Sequence, residues 1–438
     1  MRITIALVVL SLAGAARAQG FDLAHELEVG VPLTSERAVQ RALASAPSLE
    51  RAEALARAAD AALFKTRAAL LPRLDTSARY THIDGFPDTR IAGMKISIPR
   101  DQGALSARLS YPVSDLIFVT LPLLAGSGAQ ADASRAQIDA ERARVRLSAR
   151  EAYLQLARAR GALAVATRAL VQARALQASI DAGVQAGVRA PSDGASALAR
   201  VAAAEQAVVA AESSADVADA SLRTLLDEAE GERYGVTELA AEPSVLPATE
   251  VLIQRARAQR AEVLALRKAL LAQRKGAKAQ RASGYPHLGV YAGGDYAQPN
   301  RYQIPPRAVW QSSWEVGASL TYAPNDTVVA VRKGREDDAR AAATEADLRA
   351  LDRSLVLEVR TACATLGRTE QNLSTTRAAE AAAQAAYEQR DAELRGGTIT
   401  LADVFASELE LNQARLNALD ALVDDRLARA RLAYALGE

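Results

Sequence analysis

Two short stretches of this chain carry residue types that could act on a passing ion. Gly187-Val188-Arg189-Ala190-Pro191-Ser192-Asp193 interrupts one long helical pattern. Gly397-Thr398-Ile399-Thr400-Leu401-Ala402-Asp403, preceded by Gly396, interrupts another. Each ends on a carboxylate in what reads as the first turn of a helix. A carboxylate there meets the positive end of the helix dipole, and Thr400 is placed to cap the helix beginning near Leu401. If copies of the chain surround an axis, the same carboxylates form a ring that concentrates cations and disfavours anions. Both roles are electrostatic. Neither makes or breaks a covalent bond.

Nothing else in the sequence assembles bond-making chemistry. The three histidines, His25, His82 and His287, have no second His or Cys at metal-ligand spacing. Cys363 is the single cysteine, so an intramolecular disulfide is impossible. No phosphate-binding glycine loop is present. Gly293-Gly294 lies in a strand-like stretch and is expected to kink it. The expectation is a protein that is not an enzyme and needs no cofactor or metal.

The elements that position these stretches occur twice. Leu71-Pro72-Arg73-Leu74 ends a helical run and opens a strand, and Tyr285-Pro286-His287-Leu288 does so again. Leu109-Ser110-Tyr111-Pro112-Val113-Ser114-Asp115 has its counterpart in Leu320-Thr321-Tyr322-Ala323-Pro324-Asn325-Asp326. The two Gly-to-Asp stretches are the third such pair. Each unit therefore reads helix, strand, loop, strand, very long helix, tight turn, helix. The first helices are expected at 34–71 and 249–283, stopped by Pro72 and Pro286, which lack the N–H and clash with the preceding turn. The long helices are expected at 116–186 and 327–395. At 1.5 Å per residue they make rods of roughly 105 Å, over three times the hydrocarbon thickness of a bilayer.

Alanine-rich composition suits such rods, because alanine favours the helix and lets helices approach closely. Val359, Leu366, Leu373, Tyr387 and Leu394 share a seven-residue register, broken by Glu380 between Leu373 and Tyr387. Leu409, Leu416 and Val423 repeat the rhythm after the turn. A heptad pattern predicts supercoiled packing.

The strands are expected at 73–83, 104–113, 287–296 and 313–323. Leu74, Thr76, Ala78 and Tyr80 alternate with Asp75, Ser77, Arg79 and Thr81; Val316, Ala318, Leu320 and Tyr322 alternate with Gly317, Ser319 and Thr321. Strands of this length with period-two alternation can cross a membrane inside a closed barrel. Both tryptophans, Trp310 and Trp314, and eight other aromatics cluster in these segments and their connections: Tyr80, Phe86, Tyr111, Tyr285, Tyr291, Tyr296, Tyr302 and Tyr322. That concentration matches the aromatic belts of membrane barrels. Four strands cannot close a barrel, and open edges are not tolerated in lipid, so the chain must oligomerise if these strands span. No stretch after residue 18 reaches 18 consecutive apolar residues, and no spanning helix is expected.

Arg2, the apolar run Ile3 to Leu12 and Ala16-Arg17-Ala18 read as a secretory signal peptide at 1–18. Cleavage removes two arginines and turns the formal charge of +1 into −1. Opposite charges are mixed along the chain, with no basic block for nucleic acid.

The duplicated plan resembles the TolC-type outer-membrane efflux proteins over nearly all of residues 31–437. Leu33-Thr34-Ser35-Glu36-Arg37-Ala38 is similar to the family's first helix start, with Leu43 and Pro47 following. Leu70-Leu71-Pro72-Arg73-Leu74 is similar to its helix-to-strand junction, and the stretches ending at Asp193 and Asp403 to its helix-hairpin tips. The resemblance implies a mainly α protein with a membrane β-barrel portion. Three chains would form a 12-stranded barrel continued by a long periplasmic α-helical barrel.

It also implies an outer-membrane location with a periplasmic extension. The function implied is that of a passive exit duct in a tripartite efflux or type I secretion system. The partners would be a periplasmic adaptor protein, an inner-membrane pump and outer-membrane lipid. Residues 19–33 would be an N-terminal equatorial segment, 34–226 the first repeat, 227–248 an equatorial linker and 249–438 the second repeat. The tips at 187–193 and 396–403 would form the periplasmic entrance and adaptor-docking site through Gly187, Val188, Arg189, Asp193, Gly396, Gly397, Thr398 and Asp403. Ala406 stands where a second acidic residue is common, Ala46 where Asn commonly precedes Pro47, and Pro191 and Gly194 make the first tip unusual. The alternative is a periplasmic coiled-coil adaptor or structural protein without a pore, which would carry soluble β-domains and usually one helical hairpin.

Overall fold

The computed structural model describes residues 27–85, 89–91, 94–96, 99–229, 231–237 and 246–438. The expected signal peptide at 1–18, Phe86, Asp88 and part of the 227–248 segment lie outside them. The elements in order are β1 (Val31–Leu33), α1 (Ser35–Ser45), α2 (Pro47–Ala68), β2 (Arg73–His82), β3 (Thr89–Ile91), β4 (Met94–Ile96) and β5 (Asp101–Pro112). A helical turn, Val113–Asp115, and a π-helical segment, Leu116–Thr120, then lead into α3 (Leu121–Gln185). Next come α4 (Pro191–Leu226), β6 (Tyr234–Val236), α5 (Thr249–Gln259), α6 (Ala261–Ala282) and β7 (His287–Gln298). The chain ends with β8 (Gln311–Thr321), α7 (Pro324–Arg395) and α8 (Leu401–Leu436).

The compact units do not follow the duplication, because each takes segments from both halves. One comprises residues up to Ala46, Val145–Leu246 and Ala362–Leu432; the other comprises Pro47–Arg144, Pro247–Thr361 and Ala433–Glu438.

In the first unit, β1 pairs with β6 in parallel, Val31 opposite Tyr234 and Leu33 opposite Val236. Tyr153, buried on α3, donates its hydroxyl to the carbonyl oxygens of Leu33 (3.1 Å) and Thr237, which ties the pair to the helix. Leu33, Val39, Ala149, Leu156, Leu222, Val236 and Val423 close the core around it. Val359 of α7 in the second unit, and Leu366, Leu373 and Leu394 in the first, are buried as their shared register predicts. The register on α8 follows the expected one only in part, with Val423 buried and Leu416 half-buried. Leu409 is exposed, and the buried seam runs through Leu401, Val404, Glu408, Leu411, Arg415, Ala418 and Asp425. A hydrophobic pattern overlooks this seam because three of its members are charged and held by partners on neighbouring turns and helices.

In the second unit, four strands form one antiparallel sheet in the order β2-β5-β7-β8. Helices attach at one end of its strands only: α2 and α6 lead in, and the lead to α3 and α7 lead out. The helices expected as continuous over 34–71 and 249–283 are each broken. Ala46 (φ −64°, ψ 112°) separates α1 from α2, and Arg260 (φ −61°, ψ 118°) separates α5 from α6. The first break has a cause in sequence, since the residue before Pro47 is pushed out of the helical region. The second has none. Arg260 is instead buried and bonded to Glu262 (3.0 Å), Glu358 (3.2 Å) and the Tyr434 carbonyl (3.1 Å), with its guanidinium stacked over the Tyr434 ring. The helix Val113–Gln185 contains an 18-residue window of mean hydropathy 1.3, apolar enough by length and composition to cross a membrane, although no run of 18 consecutive apolar residues marks it in the sequence. Its apolar start, Ile117, Phe118, Leu121 and Leu123, is exposed next to the sheet.

Candidate functional site

The sheet separates its side chains by chemistry. The pairing register sets Leu74, Leu109, Ala292 and Val316 in one row, Tyr111, Val290 and Ala318 in the next on the same face, and Leu288 and Leu320 beyond it. Tyr80, Leu105, Tyr296 and Trp314 continue the same face, because alternate residues of a strand point the same way. Trp314 is 82% exposed and Val316 and Leu320 71% each, so the apolar face is unpartnered in the single chain. Aromatics lie at both its ends. Tyr296 stacks on Trp310 with centroids 5.0 Å apart near the loops, and Phe118 meets Tyr285 edge-on at 6.0 Å near the helices. β5, with twelve residues, tilted by about 40° as membrane strands are, spans roughly 30 Å.

The opposite face is polar. Arg73, Asp75, Ser77 and Arg79 of β2 share it with Ser106, Arg108 and Ser110 of β5, Tyr291 and Asp295 of β7, and Ser313, Glu315 and Ser319 of β8. Arg73 pairs with Asp75 at 2.9 Å, Ser77 bonds Ser106 at 2.7 Å, and Arg301 bridges Asp295 (3.0 Å) and Glu315 (2.9 Å). Gly293, expected to kink the barrel, lies in an uninterrupted strand. A Cβ there would meet the Ala107 carbonyl oxygen at 3.6 Å and Arg108 and Glu315 at 3.8 Å, all ordinary contacts, so space alone does not require the glycine.

The two Gly-to-Asp stretches form matching helix ends. Gly187 (φ 73°) donates to the Val184 carbonyl and Val188 to that of Gly183, both at 3.0 Å. Gly397 (φ 76°) donates to Leu394 and Thr398 to Glu393, both at 3.1 Å. This pair of bonds stops a helix with a left-handed residue, which glycine adopts without Cβ strain. Behind these ends Ile180, Ala197, Leu394, Leu401 and Val404 bury one another, so α3, α4, α7 and α8 meet in one cluster.

The helix starts differ. Thr400 and Asp403 close a reciprocal box. The Thr400 N–H and hydroxyl donate to Asp403 Oδ2 at 3.0 and 2.6 Å, and the Asp403 N–H donates to Thr400 Oγ1 at 3.4 Å. Donation from the Thr400 hydroxyl, then from its N–H, holds the Asp403 carboxyl below the ordinary carboxylate value. In the other stretch Ala190 occupies the cap position and offers no side-chain bond, with Pro191 starting the helix. Val188, Gly396, Gly397, Thr398 and Asp403 are exposed, and Arg189 and Asp193 half-buried.

A charged set inside the helices had no sequence signal beyond its hydrophobic surroundings. Glu408, almost fully buried, accepts from Arg200 at 3.3 Å. Arg415 donates to Gln384 at 2.7 Å, and Arg429 joins Asp425 (2.9 Å) to Glu370 (2.6 Å). Burial pushes the Glu408 carboxyl up, against the pull of Arg200.

His287 bonds Asp115 at 2.5 Å, and His82 bonds Asp101 at 2.8 Å beside the Tyr80 hydroxyl, which donates to the same carboxylate at 2.7 Å. Among the described residues no cluster of three or more His, Cys, Asp or Glu could hold a metal. The geometry supports passage and electrostatic screening along a polar wall.

Residues 38–228 and 252–438 match the family described as outer membrane efflux protein, one copy of the duplicated unit in each range. The chain belongs to the outer membrane efflux protein family. No curated protein matches it in sequence. Solved structures share its fold. CusC is 15% identical with a TM-score of 0.76, covering 93% of this chain and 92% of that one. The CmeC outer membrane channel of Campylobacter jejuni is 17% identical with a TM-score of 0.75, covering 92% and 85%. The MtrE outer membrane channel of Neisseria gonorrhoeae, in its open state, is 18% identical with a TM-score of 0.72, covering 94% and 90%. Membership in this family places the protein in the outer membrane, in efflux. The duplicated, mainly helical plan with a four-stranded sheet is the fold these structures share.

Proposed function

We propose that this protein is the exit duct of an efflux or secretion machine, acting as a homotrimer whose sheets close a 12-stranded barrel. The carrying observation is the sheet itself. It has one apolar face edged by aromatics, one polar face, and two unpaired edges at β2 and β8. Unpaired edges in lipid leave backbone groups unsatisfied at a cost of several kcal/mol each. Joining β8 of one copy to β2 of the next removes every edge and turns the polar face inward. The solved channels CusC, CmeC and MtrE support the same assembly by fold. Crosslinking in detergent should trap a trimer, and the reconstituted trimer should conduct in a planar bilayer. A monomer with intact strands and no conductance overturns the proposal.

The duct would take its cargo from a periplasmic adaptor and an inner-membrane pump at the tips, through Gly187, Val188, Arg189 and Asp193 and through Gly396, Gly397, Thr398 and Asp403. With Ala406 neutral, Asp403 carries the acidic ring of the second tip. Asp403→Asn separates the two roles of this carboxylate, because the amide oxygen still accepts from Thr400 but carries no charge. We expect the variant pore to lose cation selectivity, read as a shifted reversal potential. An unchanged reversal potential assigns Asp403 to capping alone.

A further inference from the structure

Where the sheet meets α2, its polar face is hollowed into a cavity of about 580 Å³, lined by Ala68, Leu71 and Pro72 on one side and by Arg73, Arg108 and Tyr291 on the other. The Arg108 guanidinium lies over the Tyr291 ring, 4.0 Å from its centroid. The ring can lie flat along the wall because its neighbour across the ladder is Gly317. A Cβ at Gly317 would sit 2.7 Å from both Cζ and Oη of Tyr291. The charge of Arg108 is surplus. Asp75, opposite it in register, is paired with Arg73, and Glu315, beyond Gly293, is paired with Arg301. Among the described residues no carboxylate lies within ion-pair distance of Arg108.

From the stacked Arg108–Tyr291 pair, the unpaired charge and the apolar side of the hollow, we infer that this cavity is a transit site for aromatic carboxylates on the duct wall. A guanidinium binds a carboxylate through two parallel N–H donors and stacks on a second ring through its open face. Ser110 and Ser319 add hydroxyls to the cavity lining. The volume sits within the range of small-molecule sites and far above that of a bare inorganic anion, so an organic body is needed to fill it. The Tyr291 ring holds the guanidinium in place, which limits the entropy lost on binding. The site would give the exit duct a preference for such anions where a featureless wall would give none. It rests on the duct reading only for the statement that the polar face lines the lumen.

The test uses the purified full-length protein and 1-naphthoate, with acetate as the anion lacking a ring and 1-naphthalenemethanol as the ring lacking the charge. Titration calorimetry in detergent reads binding whether or not the protein conducts. Block of bilayer conductance reads whether the site faces the lumen. We expect naphthoate to bind at least ~10-fold more tightly than either control, since each supplies only one of the two interactions. Arg108→Gln should weaken naphthoate ~10-fold or more, and Tyr291→Leu by several-fold, with the trimer intact in both. Binding with block of conductance supports the proposal. Absence of naphthoate binding, equal binding of the neutral alcohol, or unchanged binding in Arg108→Gln overturns it. Binding without block in a conducting trimer also overturns it, because the cavity then lies off the duct. Binding by a trimer that does not conduct supports the site and removes the duct reading instead.

Discussion

At the scale of single residues, the two tips show how similar sequence solves one problem in two ways. Gly187 and Gly397 stop their helices with the same bonds and nearly the same φ. An L-residue in that conformation costs about 1–2 kcal/mol, so Gly187→Ala and Gly397→Ala should each lower stability by about 1 kcal/mol in thermal unfolding. No loss in either variant would mean that the turn relaxes to a right-handed stop. Both glycines were legible in sequence, because a glycine ending a long helical pattern has few other uses. The reciprocal bonding of Thr400 and Asp403 was legible in part, as a Thr cap with an acid three residues on, whereas Ala190 gives no comparable signal. The Thr400 donors hold the Asp403 carboxyl below its unfolded value. Its contribution is therefore complete above about pH 4, the ordinary carboxylate range, and is lost as pH falls through the depressed folded value. Asp403→Asn should be less heat-stable than the parent at pH 7, and the difference should shrink in acid. A difference that grows in acid would reverse the assigned direction.

At the scale of elements, alternation and duplication were visible, and charged positions were not. Four strands could be located because period-two alternation survives even in short segments, and their observed ends fall within three residues of those expected. The pairing of β5 with β7, which joins the two copies into one sheet, follows from tertiary packing, and no local pattern encodes it. The break at Arg260 was missed for a related reason. Pro47 marks the first break in sequence, whereas the second is held by bonds to Glu358 and Tyr434, far along the chain. Arg260→Ala should therefore cost about 3 kcal/mol or more, as removal of one partner from a buried ionic group does. Arg260→Lys should recover part of that loss at most, because a single ammonium cannot reproduce the fork. Full stability in Arg260→Ala would show that the break is set by backbone packing alone. Glu408 is the contrasting case. Burial outweighs Arg200 and raises its carboxyl, so the folded chain holds the proton to higher pH than the unfolded chain. Its contribution is present below the unfolded value of about 4.3 and is lost as pH rises through the raised folded value. Glu408→Gln, which still accepts from Arg200, should unfold at pH 7 at the parent's temperature or above it. A larger penalty at pH 7 than at pH 5 would show that the ion pair with Arg200 dominates.

At the scale of the whole molecule, the sequence constrains topology through connectivity. Every helix that meets the sheet does so at one end of its strands, and the other end carries the connection from Gln298 to Gln311 and the one from His82 to Asp101. Helices too long and too charged to lie in lipid must extend into an aqueous compartment, so a sheet in the outer membrane puts its two loop connections on the opposite side. The loops then face the outside of the cell and the helical hairpins the periplasm. Two exposed side chains outside the ion-pair networks test this. Ile304, 90% exposed, lies in the second loop, and Val188, 77% exposed, lies at the first tip. In a Cys363→Ser background, Ile304→Cys should react in intact cells with a polyethylene-glycol maleimide too large to pass the duct. Val188→Cys should react only after the outer membrane is permeabilised. Labelling of Val188→Cys in intact cells, with Ile304→Cys protected, would invert the molecule in the membrane. It would also put the Asp403 ring on the outer face, and the adaptor-docking role of the tips would fall with it. Protection of both positions until lysis would remove the sheet from the outer membrane and leave a periplasmic helical protein, the alternative that the duplicated strands and the apolar, aromatic-edged face argue against.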